Sequence, residues 1–339
     1  MTDWADLASP EVGAALAMTD TGEAVGLVPV GATKQHGPHL PTGTDTVIAA
    51  GVAREAARET GALVLPPISV GVSYGHGTVL PGTLSLTPEL LAAVVRQYAL
   101  WAAVSGLRRL LFVNAHLGNT ATLATATDAL RLHHPELRVG VVDWWAASPP
   151  VLAEATADGE DIHANRAETS LMLALAPELV RTDWLPGSDD EDRTAGLVFR
   201  YTAPALSTNG VTGRPSQAST ELGRSLLGLA ATAIRDKLIR GRTEEPPLGL
   251  APVPAFPSSH VPPTDVEPQE PPWTPFYRLT PPMPAGPPSC RTRASGTSRA
   301  AGSTFWAGPS PSSSRSTTCP TCSPAPSATP HGRWAGSAR

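Results

Sequence analysis

Between Gly31 and Asp45 the chain reads GATKQHGPHLPTGTD, which sets two histidines and an aspartate in a stretch too rich in glycine, proline and threonine for helix. An apolar run, Val25–Val30, precedes it and reads as a buried strand. Loops leaving the carboxyl ends of such strands are where open α/β sheets place ligands and chemistry. His36 and Asp45 are nine positions apart, so a folded loop brings both to one ion. Imidazole nitrogen with carboxylate oxygen is a donor set that zinc, manganese or iron accepts. His116 repeats the pattern, following the apolar run Arg109–Asn114 in the segment VNAHLGN. Two such residues converging at one sheet edge is the geometry a catalytic centre requires.

Each candidate also has a plainer role. Asp45 precedes an apolar helical pattern, so it can cap a helix, ligate, or do both with different oxygens. His39, between Pro38 and Pro41, reads as structural or substrate-facing rather than as a third ligand. His76 lies in a glycine-flanked loop that can approach the site. Glu168 opens a helix, where an acid complements the dipole or serves as ligand or general base. Trp144 and Trp145 at the end of an apolar strand point to opposite faces, burying one ring and leaving the other to cover a pocket.

A rival constellation is Gly71-Val72-Ser73-Tyr74-Gly75, which satisfies the G-x-S-x-G elbow of serine hydrolases, with Asp143 and His163 following in the order serine, acid, histidine. That elbow needs a helix immediately after Ser73. Here His76 to Leu86, with glycines and Pro81, intervenes before the next helix signal at Thr87.

The elements that position these residues alternate between apolar strands and amphipathic helices, which predicts α/β with a mainly parallel sheet. Strands are expected at Val25–Val30, at Ala62–Val70 (bent or at an edge because of Pro66-Pro67), at Arg109–Asn114 and at Arg138–Trp144. Helices are expected at Asp45–Glu59, from Thr87 to about Val104, at Thr120–Leu132, at Ala167–Ala176 and at Thr220–Ile239. Thr87-Pro88-Glu89 is a strong start signal, with a capping hydroxyl, a first-turn proline and an acid at the positive end.

The 339 residues are 41% hydrophobic, ample for a core over roughly the first 240. No apolar run is long enough to span a bilayer, and the acidic start, Met1 to Asp6, lacks the basic and apolar segments of a signal peptide, so a cytoplasmic location is expected. The last acid is Glu270, and seven arginines follow it. The first 270 residues therefore carry 18 basic against 30 acidic groups, a balance that argues against nucleic-acid binding. All three cysteines, Cys290, Cys319 and Cys322, lie in the tail, and the lone C-x-x-C has no second pair to make a zinc or redox site. The expected organisation is a catalytic domain over 1–244, a proline-rich linker over 245–290 and a low-complexity, disordered tail over 291–339. Acid-free sequence of that kind is also what an out-of-frame reading of GC-rich DNA yields, and a peptide map covering Arg293–Arg315 tests that origin.

The Gly31–Asp45 loop resembles the G-S-T-E-Q-H-G-P-H-L-P-x-x-T-D signature of the creatininase (creatinine amidohydrolase) family. Further segments fall in the family's order: YGHGTVLPGTLSL from Tyr74, VNAHLGN from Val113, DIHANRAETS from Asp161 and GVTGRP from Gly210. Coverage runs from about Val25 to about Ile239. The resemblance implies a creatininase-like three-layer α/β/α fold and a metal-dependent hydrolase of small or non-standard amide C–N bonds, a group that includes creatininases, formamide hydrolases and a peptidase of mycofactocin maturation. It implies His36, Asp45 and His116 as ligands of one or two divalent ions (Zn or Mn, with Fe an option), Asp45 bridging. It further implies His163 as a substrate-contacting or acid/base residue, Trp145 over the substrate, and a homo-oligomer, commonly a hexamer. A small amide or a peptide-derived compound is the expected substrate.

Two positions depart from the pattern. The family's first metal-binding glutamate is Lys34 here, and creatininase's later glutamate is Gly118, which argues against creatinine as substrate. Three readings of Lys34 follow. It replaces one cation and polarises the substrate carbonyl; or Glu168 substitutes as ligand for a second ion; or the site is degenerate and binds without turnover. In the first reading His163, oriented by Asp161, protonates the leaving nitrogen, while His76 and Ser73 face the substrate.

Overall fold

The computed structural model describes residues 2–17, 23–77 and 80–249. The predicted tail, and all of the predicted linker beyond residue 249, lie outside them. Glu245, where the linker was expected to begin, is tied to the body by ion pairs with Arg109 and Arg138 at 2.7 and 2.9 Å.

Five strands form one parallel sheet: β1 (Thr2–Asp3), β2 (Val25–Val30), β3 (Leu63–Val64), β4 (Arg109–Asn114) and β5 (Arg138–Asp143), in the order β1-β3-β2-β4-β5. Register decides where the chemistry falls. Val30 of β2 pairs with Asn114 of β4, which pairs with Asp143 of β5. The three main strands thus end level, and the loops after them leave one edge together.

Side chains alternate along the strands, so Val25 and Leu27 enter one core while Val28 and Val30 enter the other. The first core is closed by α2 (Thr44–Ala57), α5 (Pro149–Ala155), α6 (Arg166–Leu175) and α8 (Thr220–Gly241). The second is closed by α3 (Pro88–Val104) and α4 (Thr120–His133), with Leu16 of α1 (Ser9–Ala17) packed against it; α7 (Ala203–Leu206) is a single turn. This is the expected helix–sheet–helix sandwich. Thr87 caps α3 as its sequence foretells, accepting from Leu90 N. No helix among the described residues is long and apolar enough to cross a membrane.

The expected strand Ala62–Val70 shrinks to Leu63–Val64 with one isolated bridge, Ile68 to Val30. Pro66 and Pro67 have no N–H to give a ladder. Helix α5 was not anticipated, although Ser148 followed by Pro149-Pro150 is a start signal of the same kind as that of α3.

Candidate active site

Asp45 lies in the first turn of α2, after Gly43 at the cap position, and is fully buried. Its carboxylate caps nothing; it faces two imidazoles. His36 Nδ1 is 3.0 Å from the Lys34 carbonyl, which can only accept, so the ring proton is on Nδ1 and Nε2 presents a lone pair 2.8 Å from Asp45 Oδ1. His116 mirrors this arrangement. Its Nε2 donates to the Val72 carbonyl at 2.9 Å, which leaves the Nδ1 lone pair 3.2 Å from Asp45 Oδ2, an oxygen with no hydrogen-bond donor. Burial, reinforced by Lys34, keeps His36 neutral. Burial alone would raise the Asp45 carboxyl, but Lys34 and His36 outweigh it and hold the group well below the usual carboxylate range. Both oxygens of an ionised carboxylate therefore face imidazole lone pairs, which repel unless a cation stands between them. The donor set fits a divalent ion of the borderline or harder kind.

Lys34 is one such cation. It is 2% exposed, and its Nζ lies 2.9 Å from His36 Nε2, 2.9 Å from His163 Nδ1 and 3.5 Å from Asp45 Oδ2.

The fourth wall is the loop 161–168. Ala164 adopts a left-handed backbone, φ 52°, a conformation held against a cost of about 1 kcal/mol or more for a residue with a Cβ. That twist aims its N–H at Glu168 Oε2, 2.6 Å away, and sets His163 beside Lys34. Asn165 caps α6 by accepting from Ala167 N and Glu168 N, which fixes the start of the helix that carries Glu168. Burial, and then repulsion from Asp45, lift the Glu168 carboxyl to about 8, so it keeps its proton at neutral pH. Burial, and then Lys34, hold His163 well below its usual range and therefore neutral. One donor atom from each of His36, His163 and Glu168 lies within 4.8 Å of the others.

The Glu168 shift has a consequence for stability. The unfolded chain gives up this proton near pH 4.5 and the native state only near 8, so the native state loses stability as pH rises between them. Glu168→Gln, which mimics the protonated acid, is expected to raise the stability of chelator-treated protein near neutral pH by on the order of 3 kcal/mol. Denaturant melts across that pH range should show a flatter decline for the variant.

Several expected roles are revised. Asp161 lines the same cavity but does not orient His163, whose two ring nitrogens face Lys34 Nζ and Gln35 Nε2, the latter at 2.8 Å. Gln35 was missed. Its Oε1 accepts from Gly37 N and its Nε2 donates to Gly210 O, which fixes the amide, and Nε2 also lies 3.2 Å from His76 Nδ1. Trp145 is not a lid. The strand stops at Asp143, a 3-10 turn begins at Trp144, and both rings are buried edge to face in the core, with Trp145 absent from the described cavity wall. His76 and Ser73 do reach that wall. His39 is structural, its Nε2 paired with Thr169 Oγ1 at 2.8 Å.

The serine-hydrolase constellation does not assemble. Ser73 Oγ is 3.2 Å from His116 Nε2, but that nitrogen carries the proton given to Val72 and has no lone pair for the serine. Asp143 is bonded to Asn114 and Thr120, and only the short 3-10 turn Tyr74–His76 follows Ser73.

The cavity beside these groups has a volume of about 510 Å³, with Lys34, Asp45, His116 and Glu168 in its wall, together with the exposed Tyr74 and Tyr201. That size suits a small molecule or a short peptide end.

The family model for creatininase, described as creatinine amidohydrolase, matches residues 5–238, well over half of the chain. The chain belongs to the creatininase family. Among its relatives, the mycofactocin precursor peptide peptidase of Mycobacterium ulcerans (strain Agy99) is 35% identical over 215 residues, 59% of this chain and 78% of the relative. The creatinine amidohydrolase of Pseudomonas putida is 32% identical over 241 residues, 67% and 92% of the two chains. A solved manganese creatininase superposes with a TM-score of 0.62 at 29% identity, covering 72% of this chain and 99% of that one. Another creatininase structure is of a Zn-Zn type. The chain carries Lys34 where the signature given above has a glutamate, and Gly118 where creatininase proper has one. At Gly118, an added Cβ would lie 2.2 Å from the Val72 carbonyl and 2.6 Å from His116 Nε2. A carboxylate at that position would displace the bond that orients His116.

Proposed function

We propose that this creatininase-family amidohydrolase cleaves a C–N bond in a small or peptide-derived amide, with His36, Asp45 and His116 as the donor set for a divalent ion, zinc or manganese foremost. The observation that carries the reading is the Asp45 carboxylate facing imidazole lone pairs with both oxygens, at 2.8 and 3.2 Å. When bound, a divalent ion there supplies Lewis acidity toward an amide carbonyl and a water nucleophilic at neutral pH.

The remaining work falls to the chain's own groups. Glu168 lines the cavity with a carboxyl that burial and Asp45 raise in the metal-free protein, which suits it to carry a proton to a leaving nitrogen. His163 has a donor opposite each ring nitrogen, Lys34 Nζ and Gln35 Nε2, and when neutral it can accept from only one of them. Lys34 puts positive charge in the cavity wall, where it favours an oxyanion developing on the substrate. Asp161 adds a second carboxyl to the wall, raised by burial and by Asp192.

The test is a panel of formamides, small cyclic amides and short peptides assayed with and without a strong chelator. Hydrolysis of at least one class is expected, abolished on chelation and restored by Zn2+ or Mn2+. Hydrolysis indifferent to chelation would end the metal reading, and metal binding with no turnover of any class would favour a binding protein.

A further inference from the structure

We propose that the buried Lys34 side chain fills one of two cation positions at Asp45, the one between His36 and His163, so that the centre takes a single divalent ion. This rests on the metal reading above and narrows it: one ion is held by Asp45 and His116, and His36 is given over to Lys34.

A carboxylate with an imidazole lone pair opposite each oxygen defines two places for positive charge. Lys34 Nζ stands against the imidazole of the first, and lies 3.5 Å from Asp45 Oδ2. It contacts His36 Nε2 and His163 Nδ1 at 2.9 Å each. Those two histidines, with Glu168, make up the one group of three donors among the described residues that could hold an ion. The lysine nitrogen therefore sits where an ion held by His36 and His163 would need to be. Access agrees with this: Lys34, Asp45 and His116 line the cavity, whereas His36 is not among the described lining residues. An ion arriving from the cavity meets Asp45 Oδ2 and His116 Nδ1 directly, with Glu168 in the same wall, and reaches His36 only by displacing a buried lysine. Lys34 Nζ already lies 3.5 Å from Asp45 Oδ2, so a second ion would join one ammonium and one divalent ion in the same site, and like charges repel most strongly where water is excluded.

The test is metal stoichiometry of the full chain, loaded with Zn2+ and desalted, by elemental analysis, with Co2+ titration read by absorbance as a second measure. Wild type should hold one equivalent. Lys34→Glu, which exchanges the cation for a ligand, should approach two, and Lys34→Met, neutral and of similar length, should retain at least one. Two equivalents in wild type would overturn the proposal while leaving a chelator-sensitive hydrolase intact. Loss of the single equivalent in Lys34→Met would overturn it by making the amine itself a ligand. No binding in wild type would overturn it together with the metal reading, and chelator-indifferent hydrolysis would remove that reading alone.

Discussion

His116→Ala is expected to lower kcat/KM on any substrate found by roughly 10³-fold, and to remove bound metal in parallel. The magnitude follows from the several kcal/mol that Lewis-acid catalysis contributes, about 4 here, at 1.36 kcal/mol per tenfold. The direction follows from geometry. Among the described residues, His116 is the one imidazole whose free lone pair faces an Asp45 oxygen without a hydrogen-bond donor, and it lines the cavity. Ser73→Ala is the control, because Ser73 faces the same imidazole from its protonated side and should cost less than about tenfold. Steady-state kinetics and metal analysis on the two variants check both halves. A Ser73 loss as deep as the His116 loss would revive the nucleophilic-serine reading.

What could be read from the residues alone divides on physical lines. The convergence of His36 and His116 was legible because both follow apolar strand patterns, and parallel strands in register must deliver their loops to one edge. The helix at Thr87 was legible because capping is local chemistry. Gln35 was not legible. An amide carries no titration or ligand signature, and its role emerges only when loops around residues 76, 163 and 210 come together. The pairing of Asp161 with His163 failed because closeness in sequence does not make side chains meet when Lys34 and Gln35 already occupy the ring. Trp145 failed because strand alternation does not hold for Trp144 and Trp145, both of which lie past the strand's end at Asp143 in a 3-10 turn. The three readings of Lys34 stayed open because choosing among them depends on its nitrogen lying 2.9 Å from both His36 Nε2 and His163 Nδ1, contacts no spacing encodes.

Gly223→Ala is expected to destabilise the protein by about 3 kcal/mol, roughly 10 °C in Tm for a domain of this size. A Cβ at Gly223 would lie 1.8 Å from the Ser170 carbonyl oxygen and 2.5 Å from its carbon, both backbone atoms of α6. Neither can rotate away, so helices α6 and α8 must separate. Elsewhere in α8 the same exchange has the opposite sign. Gly228 has nothing within 4 Å of its added Cβ, so Gly228→Ala should gain up to about 1 kcal/mol from helix propensity alone. Thermal melts of the two variants should therefore move apart in opposite directions from wild type, which removes propensity as an explanation for the loss at Gly223. The consequence reaches the site, because α6 carries Glu168 in its first turn and α8 is the helix it leans on through Ser170, whose Oγ also accepts from Ser219 N at 3.1 Å, next to the start of α8. Moving α6 by even a few tenths of an ångström shifts the Glu168 carboxyl against Ala164 and Asp45. Folded Gly223→Ala protein should thus lose activity beyond its unfolded fraction, while Gly228→Ala keeps wild-type rates.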